Sequence, residues 1–123
     1  MKTHHIGIWV PDIGAAGEFY RNVLGLEKER EYEAPAEIMR AIFGTEAPCK
    51  IQVYGGDEVR VEIFEATGQA RSGINHFSLS VADKKEFCAQ AKTKGAEVIE
   101  VWREDHPVYF LKGPEGVLIE IKD

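Results

Sequence analysis

Two short runs of the chain alternate apolar and polar positions in the same order. His5-Ile6-Gly7-Ile8-Trp9-Val10 leads into Pro11-Asp12, and His76-Phe77-Ser78-Leu79-Ser80-Val81 leads into Ala82-Asp83, at an offset of 71 residues. Period-two alternation predicts a half-buried strand in each place. Ile6, Ile8 and Val10 share one face and His5, Gly7 and Trp9 the other. Phe77, Leu79 and Val81 stand opposite His76 in the same way. After each strand the period changes. Ile13, Ala16, Phe19, Tyr20, Val23 and Leu24 recur at three- and four-residue spacing, which predicts a helix capped by Asp12 and stopped by Gly25. In the second half a helix from about Lys84 to Lys94 buries Phe87, Cys88 and Ala91 and stops at Gly95.

The remaining strands follow from alternation and turn residues. Leu26 to Tyr32 is one, ended by Ala34-Pro35. Cys49 to Tyr54 and Val59 to Glu65 form a hairpin about Gly55-Gly56-Asp57. Glu97 to Trp102, Val108 to Lys112 and Val117 to Lys122 follow in the second half, with Gly113-Pro114-Glu115-Gly116 as the last turn and Arg103 to Pro107 as a polar loop. Ala66 to Gly73 is small and polar and separates the halves. The order is β-α-β-β-β twice. The predicted fold class is α+β, with two βαβββ modules in pseudo-twofold repeat, 1–66 and 74–123, within one domain over 1–123. Residues 36–44 (AEIMRAIFG) read as a short helical insert that the second half lacks, either a cover for a pocket mouth or a packing element.

The repeat extends to chemistry. Val61-Glu62-Ile63 closes the first half and Ile119-Glu120-Ile121 closes the second. Side chains alternate across a strand, so aliphatics facing the helices force His5, Glu62, His76 and Glu120 onto the opposite face. If the sheet curves, that face becomes a cup and the four converge. Singly, each is an ordinary polar residue on a solvated face; at symmetry-related places they suggest a divalent metal site. Imidazole and carboxylate ligands suit Ni, Zn, Co, Mn or Fe in five- or six-coordinate geometry, with water in the open positions. Trp9, Tyr54, Phe64 and Leu118 are expected on the same face as the lining of a small-molecule pocket, although aromatics there could also cap the sheet or fill a dimer interface. Gly7 and Ser78 are small at matching places, leaving room for a substrate or for close packing. His4 is expected at the surface, and His106 in the exposed loop.

Bulk properties narrow the classes. The 123 residues carry a formal net charge of -6, which argues against nucleic acid as a partner. No apolar run approaches the roughly 20 residues needed to span a membrane. The first strand starts almost at once, so no signal peptide is expected and the simplest location is the cytoplasm. Cys49 and Cys88 make neither a disulfide framework nor a spaced zinc motif.

The segments HIGIWVPDIGAAGEFYRNVLGL, INHFSLSVAD and GPEGVLIEIKD resemble the vicinal-oxygen-chelate superfamily of glyoxalases, bleomycin-resistance proteins and extradiol dioxygenases. The likeness covers nearly the whole chain apart from the insert. It implies paired βαβββ modules forming a cupped, mostly antiparallel sheet with helices outside, one divalent ion held by His5, Glu62, His76 and Glu120, and a homodimer. Occupation of all four places is similar to glyoxalase I and close to the methylmalonyl-CoA epimerases. Gly113-Pro114 stands where Asp-Pro is common in the family, and no residues match those that grip glutathione or a CoA tail. The implied activity is a metal-dependent lyase or isomerase of the glyoxalase I type, acting on a small carbonyl substrate, with Glu120 as base and Glu62 as its partner. The alternative is a resistance-type protein that binds an antibiotic or other small molecule without turnover. A third, oxygen-dependent possibility would need Fe(II) and one ligand fewer.

Overall fold

Each half begins with the same local event. Asp12 and Asp83 hold extended backbone, and their carboxylates accept from the N–H three residues on, Ala15 at 3.1 Å and Glu86 at 3.0 Å. Both are helix N-caps that turn a strand into a helix. The computed structural model describes residues 1–66, 73–113 and 117–123. Its elements are β1 (Lys2–Val10), α1 (Ile13–Glu18), β2 (Glu27–Ala34), α2 (Ala36–Phe43), β3 (Cys49–Gly55), β4 (Arg60–Glu65), β5 (Gly73–Ser80), α3 (Lys84–Thr93), β6 (Glu97–Arg103), β7 (His106–Lys112) and β8 (Leu118–Lys122). Most of the segment expected to separate the halves, and the turn expected at 113–116 beyond Gly113, lie outside the described residues.

The strands make one 8-stranded sheet in the order β2-β3-β4-β1-β5-β8-β7-β6. β1 runs parallel to β4 and β5 parallel to β8; the other neighbours are antiparallel. The central β1–β5 pairing sets His5 opposite Ser78 and Gly7 opposite His76. Gly7 then pairs with Glu62 on β4, and Ser78 with Glu120 on β8. The register therefore has a twofold correspondence, with the seam between β1 and β5 at its centre.

Helices α1 and α3 cover the outer face. Ile13 of α1 packs with Leu26, Tyr54, Val61 and Ile63, and Cys88 of α3 with Tyr109 and Ile121. The sheet curls until its edges meet on the other face. Ile38 and Ile42 of α2 pack with Phe110 and against Ile99 and Val101 of β6, and the Arg103 guanidinium at the end of β6 lies 5.5 Å from the ring centre of Tyr32 on β2. The insert is thus a helix inside the curl, stopped by Gly44 in the left-handed region (φ 71).

Two local expectations are corrected. The first helix does not run regularly to Leu24. After Glu18 it widens into a π-helical turn, Phe19–Val23, with Leu24 N–H donating to the Phe19 carbonyl. The wider turn rotates the apolar stripe off the sheet, so Phe19, Val23 and Leu24 stay exposed while Ile13 and Gly17 are buried. The segment 103–107 is not a loop. Arg103 pairs with His106, leaving a tight turn at Glu104-Asp105 with Glu104 at φ 56.

Candidate metal centre

His5 and His76 approach across the β1–β5 seam with Nε2 atoms 2.8 Å apart. Glu120 Oε2 lies 2.9 Å from His5 Nε2 and 3.5 Å from His76 Nε2; Glu62 Oε1 lies 3.2 and 3.6 Å from the same two atoms. One ligand atom from each of the four lies within 4.8 Å of the others. Donors bound at about 2.1 Å to one ion and set at right angles are about 3 Å apart. The observed spacings suit that arrangement. Both histidines are buried at 1 % exposure, so the cluster is formed in the interior.

What surrounds each imidazole fixes which nitrogen faces the cluster. β5 bulges at Asn75, and its Oδ1 reaches back to accept from His76 Nδ1 at 2.6 Å. β1 bulges at the corresponding residue, His4, whose Nδ1 lies 2.9 Å from His5 Nδ1. Burial, then the nearby His5 and Lys122, push His4 below the usual histidine range, which leaves it neutral, and in its Nε2–H tautomer it accepts from His5 Nδ1. With both Nδ1 atoms donating, both Nε2 atoms present lone pairs to each other. Two lone pairs at 2.8 Å beside two carboxylates require a positive charge between them, a proton or a metal ion. The donor set therefore fits a divalent cation. Burial raises the Glu120 carboxyl, but where the positive charge is a proton on an imidazole Nε2, donation from His5 and His76 holds it well below the usual range. Ser78 Oγ and Asn75 Nδ2 are buried with no hydrogen-bond partner among the described residues, so this polar pocket has unfilled capacity.

His76 cannot swing away. Phe43, Phe64 and Phe110 surround it with ring centres at 5.8, 5.7 and 5.5 Å. Gly7 lies beneath it: a Cβ there would collide with the His76 ring and come within 2.5 Å of Asn75 Oδ1. Close packing at the seam is thus what Gly7 provides.

A cavity of about 400 Å³ opens from the cluster, with Glu62, His76 and Glu120 in its wall. Of the four expected lining residues, Phe64 lines it. Trp9 and Leu118 are on the cup face but pack beneath α2, Trp9 against Phe43 and Phe64 at 5.6 and 5.5 Å and Leu118 beside Phe110. Tyr54 is corrected to the outer face. It pairs with Val61, packs with Ile13 and donates to Gln52 Oε1 at 3.0 Å. Directly paired residues share a face, so the residues of β3 that reach the cup are Ile51 and Val53, opposite Phe64 and Glu62.

Several site residues carry no signal in the sequence pattern. His4 is half-buried behind His5 rather than at the surface, and Asn75 plays the matching part in the other half. The one available clue was that both precede a histidine at the 71-residue offset. His106 is exposed but stands at the cavity rim with Arg30, Tyr32 and Arg103. Burial, then the Glu62 carboxylate, pushes the Tyr32 phenol up to about 12.

Comparison with known proteins agrees with this architecture. The family model described as Glyoxalase/Bleomycin resistance protein/Dioxygenase superfamily matches residues 4–110. An ethylmalonyl-CoA/methylmalonyl-CoA epimerase of Cereibacter sphaeroides is 30% identical, over 98% of this chain and 96% of its own. The mitochondrial methylmalonyl-CoA epimerase of Homo sapiens is 25% identical, over 98% of this chain and 73% of its own. Among solved structures, methylmalonyl-CoA epimerase from Mycobacterium tuberculosis superposes with a TM-score of 0.74 at 18% identity, over 98% of this chain and 85% of that one, a likeness of fold.

Proposed function

Because the chain belongs to the glyoxalase/bleomycin resistance protein/dioxygenase superfamily, we propose that it is a metal-dependent isomerase that moves a proton at a carbon next to a carbonyl. The observation that carries this reading is the convergence of two histidines and two glutamates, donor atoms within 4.8 Å, in the wall of a cavity of about 400 Å³. The relatives named above are epimerases rather than glyoxalase I, which favours isomerisation of an acyl thioester over a glyoxalase I-type reaction.

His5, Glu62, His76 and Glu120 would hold one divalent ion. Bound there, such an ion supplies Lewis acidity, favouring negative charge on a substrate carbonyl oxygen over the neighbouring carbon. The protein's own groups handle the proton. Glu120 turns Oε2 toward His5, while Lys122 Nζ stands 3.5 Å from Oε1. The Glu120 Oε1 takes the proton from carbon, and Lys122 holds the carboxylate in place before the transfer. Glu62 stands on the β4 side of the β1–β5 seam as Glu120 stands on the β8 side, so, entering the reaction protonated, it gives its proton to the other side of the same carbon, and the two acids end with their protonation states exchanged. Phe43, Phe64 and Phe110 keep water from the charged intermediate state.

The test is exchange in D2O. Metal-loaded protein incubated with methylmalonyl-CoA should place deuterium on the carbon between the two carbonyls. Glu120→Gln should retain metal by elemental analysis and lose at least a hundredfold in exchange rate. Wild-type protein that binds metal but exchanges no hydrogen from this or related acyl thioesters would remove the proposal.

A further inference from the structure

Two cations of the cup mouth share one aromatic partner. Arg60 forks onto Glu29, Lys28 meets Glu31, Arg40 meets Glu46 and Lys84 meets Asp123. Arg30 and Arg103 both turn instead to one phenol ring. Their guanidinium carbons lie 4.5 and 5.5 Å from the centre of Tyr32, and neither pairs with a carboxylate among the described residues. This holds although the flanking sequence is acidic. Glu31 lies on the other face of β2, where Lys28 occupies it, and Glu29, the bulge residue before Arg30, is occupied by Arg60.

The two arginines come from opposite edges of the sheet, β2 and β6, and both line the cavity that holds Glu62 and Glu120. The cavity wall carries Arg30, Arg103 and Lys122 against Glu62, Glu104 and Glu120. Lys122 is already engaged with Glu120, and a divalent ion at the four donors would leave the wall net positive. Guanidinium is weakly hydrated and planar, stacks on aromatic faces and presents paired N–H donors that match a carboxylate. Two like charges held at one ring repel each other unless an anion lies between them.

We infer that Arg30 and Arg103, seated on Tyr32, form a receptor for a carboxylate that the substrate carries apart from the oxygens at its reacting end. The inference rests on the isomerase reading for what the reacting end does. The sheet register supports two separate positions: Arg30 pairs with Val53, and Val53 with Glu62, so Arg30 and Glu62 are two strand spacings apart, about 10 Å. The substrate class is accordingly an acyl compound with a carbonyl pair at one end and a carboxylate several bonds away.

Calorimetry with defined probes tests this. Metal-loaded protein is titrated with 2-oxo dicarboxylates of five to eight carbons and with the 2-oxo monocarboxylates of equal length. The dicarboxylate should bind at least tenfold tighter at one preferred length. That gain should vanish in Arg30→Gln, Arg103→Gln and Tyr32→Leu, persist in Tyr32→Phe, and shrink in Arg103→Lys, which keeps charge but loses the fork. Monocarboxylate affinity should stay unchanged in all five variants, which also reports that each is folded. No gain at any length, or a gain that survives both arginine variants, overturns the inference and leaves the isomerase reading intact. If no 2-oxo acid binds in a metal-dependent way, the chelating end has failed instead. Plain dicarboxylates of the same lengths then decide the receptor, and binding that ignores both arginine substitutions overturns it.

Discussion

Gly7→Ala should do more damage than a methyl added at any other glycine among the described residues. The new Cβ would stand 2.5 Å from Asn75 Oδ1 and closer still to the His76 ring. An ordinary C···O contact is about 3.3 Å or more, so something must move by close to 1 Å. His76 has nowhere to go, because three phenylalanine rings close around it at 5.5 to 5.8 Å. The adjustment falls on the β1–β5 seam or on the Asn75–His76 hydrogen bond. Overpacking a filled core costs about 1–3 kcal/mol, and losing the hydrogen bond adds about 1 kcal/mol. The expected loss is therefore about 2–4 kcal/mol in urea unfolding, with a 10- to 100-fold loss in Co(II) affinity by calorimetry as the His76 support is disturbed. Gly14→Ala is the matched control. Its Cβ would meet only Asp12 Oδ1 at 3.4 Å in an α-helical segment, so a gain of up to about 1 kcal/mol is expected there. A Gly7→Ala protein within 0.5 kcal/mol of wild type and unchanged in Co(II) affinity would refute the account of the seam.

Other outcomes follow from the same geometry. Asn75→Ala should weaken Co(II) binding about 10- to 100-fold by freeing the His76 tautomer, while Asn75→Asp, which keeps an acceptor, should restore most of it on calorimetric titration. Phe43→Ala should cost about 3 kcal/mol in urea, toward the low end for phenylalanine truncation because the ring is half-buried, and should change Trp9 fluorescence since the rings touch. Absorbance at 295 nm should show a tyrosinate step near pH 12 that Tyr32→Phe reduces by one tyrosine, the remainder coming from Tyr109, which the Glu100 carboxylate also pushes up to about 12. The folded chain keeps the Tyr32 proton above the unfolded value of 10, so the contribution is present at neutral pH and falls as pH rises from 10 toward 12. By about pH 11 the loss is roughly 1.4 kcal/mol relative to Tyr32→Phe.

The histidine and glutamate cluster was legible because aliphatics mark the outer face on the strands that carry it. Ile6 and Ile8 on β1, Val61 and Ile63 on β4, and Ile119 and Ile121 on β8 leave only one side for the ligands. Tyr54 shares its face of β3 with Lys50 and Gln52, and the apolar Cys49, Ile51 and Val53 take the cup face, the reverse of the pattern on β1, β4 and β8. Alternation separates the two faces but does not say which one meets the outer helices, and on β3 the apolar face packs beneath α2 inside the cup. The bulges at His4 and Asn75 were invisible for a different reason. Each falls near the start of its strand, where the extra residue reverses the alternation only for the few residues before it, Thr3 and Ile74 among them. Arg30, Tyr32 and Arg103 lie on the two edge strands, and only the curl of the sheet brings them together.

The second module joins β6 to β7 by a tight turn, whereas the first spends the same connection on α2. A perfectly duplicated cup would look alike from its two ends, and a ligand could lie in it head-first or tail-first at equal cost. Phe43 and Met39 fill one of those ends. The helix thereby makes the vessel chiral in use as well as in backbone: one direction of entry, one side of the substrate toward each glutamate, and so a defined handedness for anything the pair does to a carbon between them.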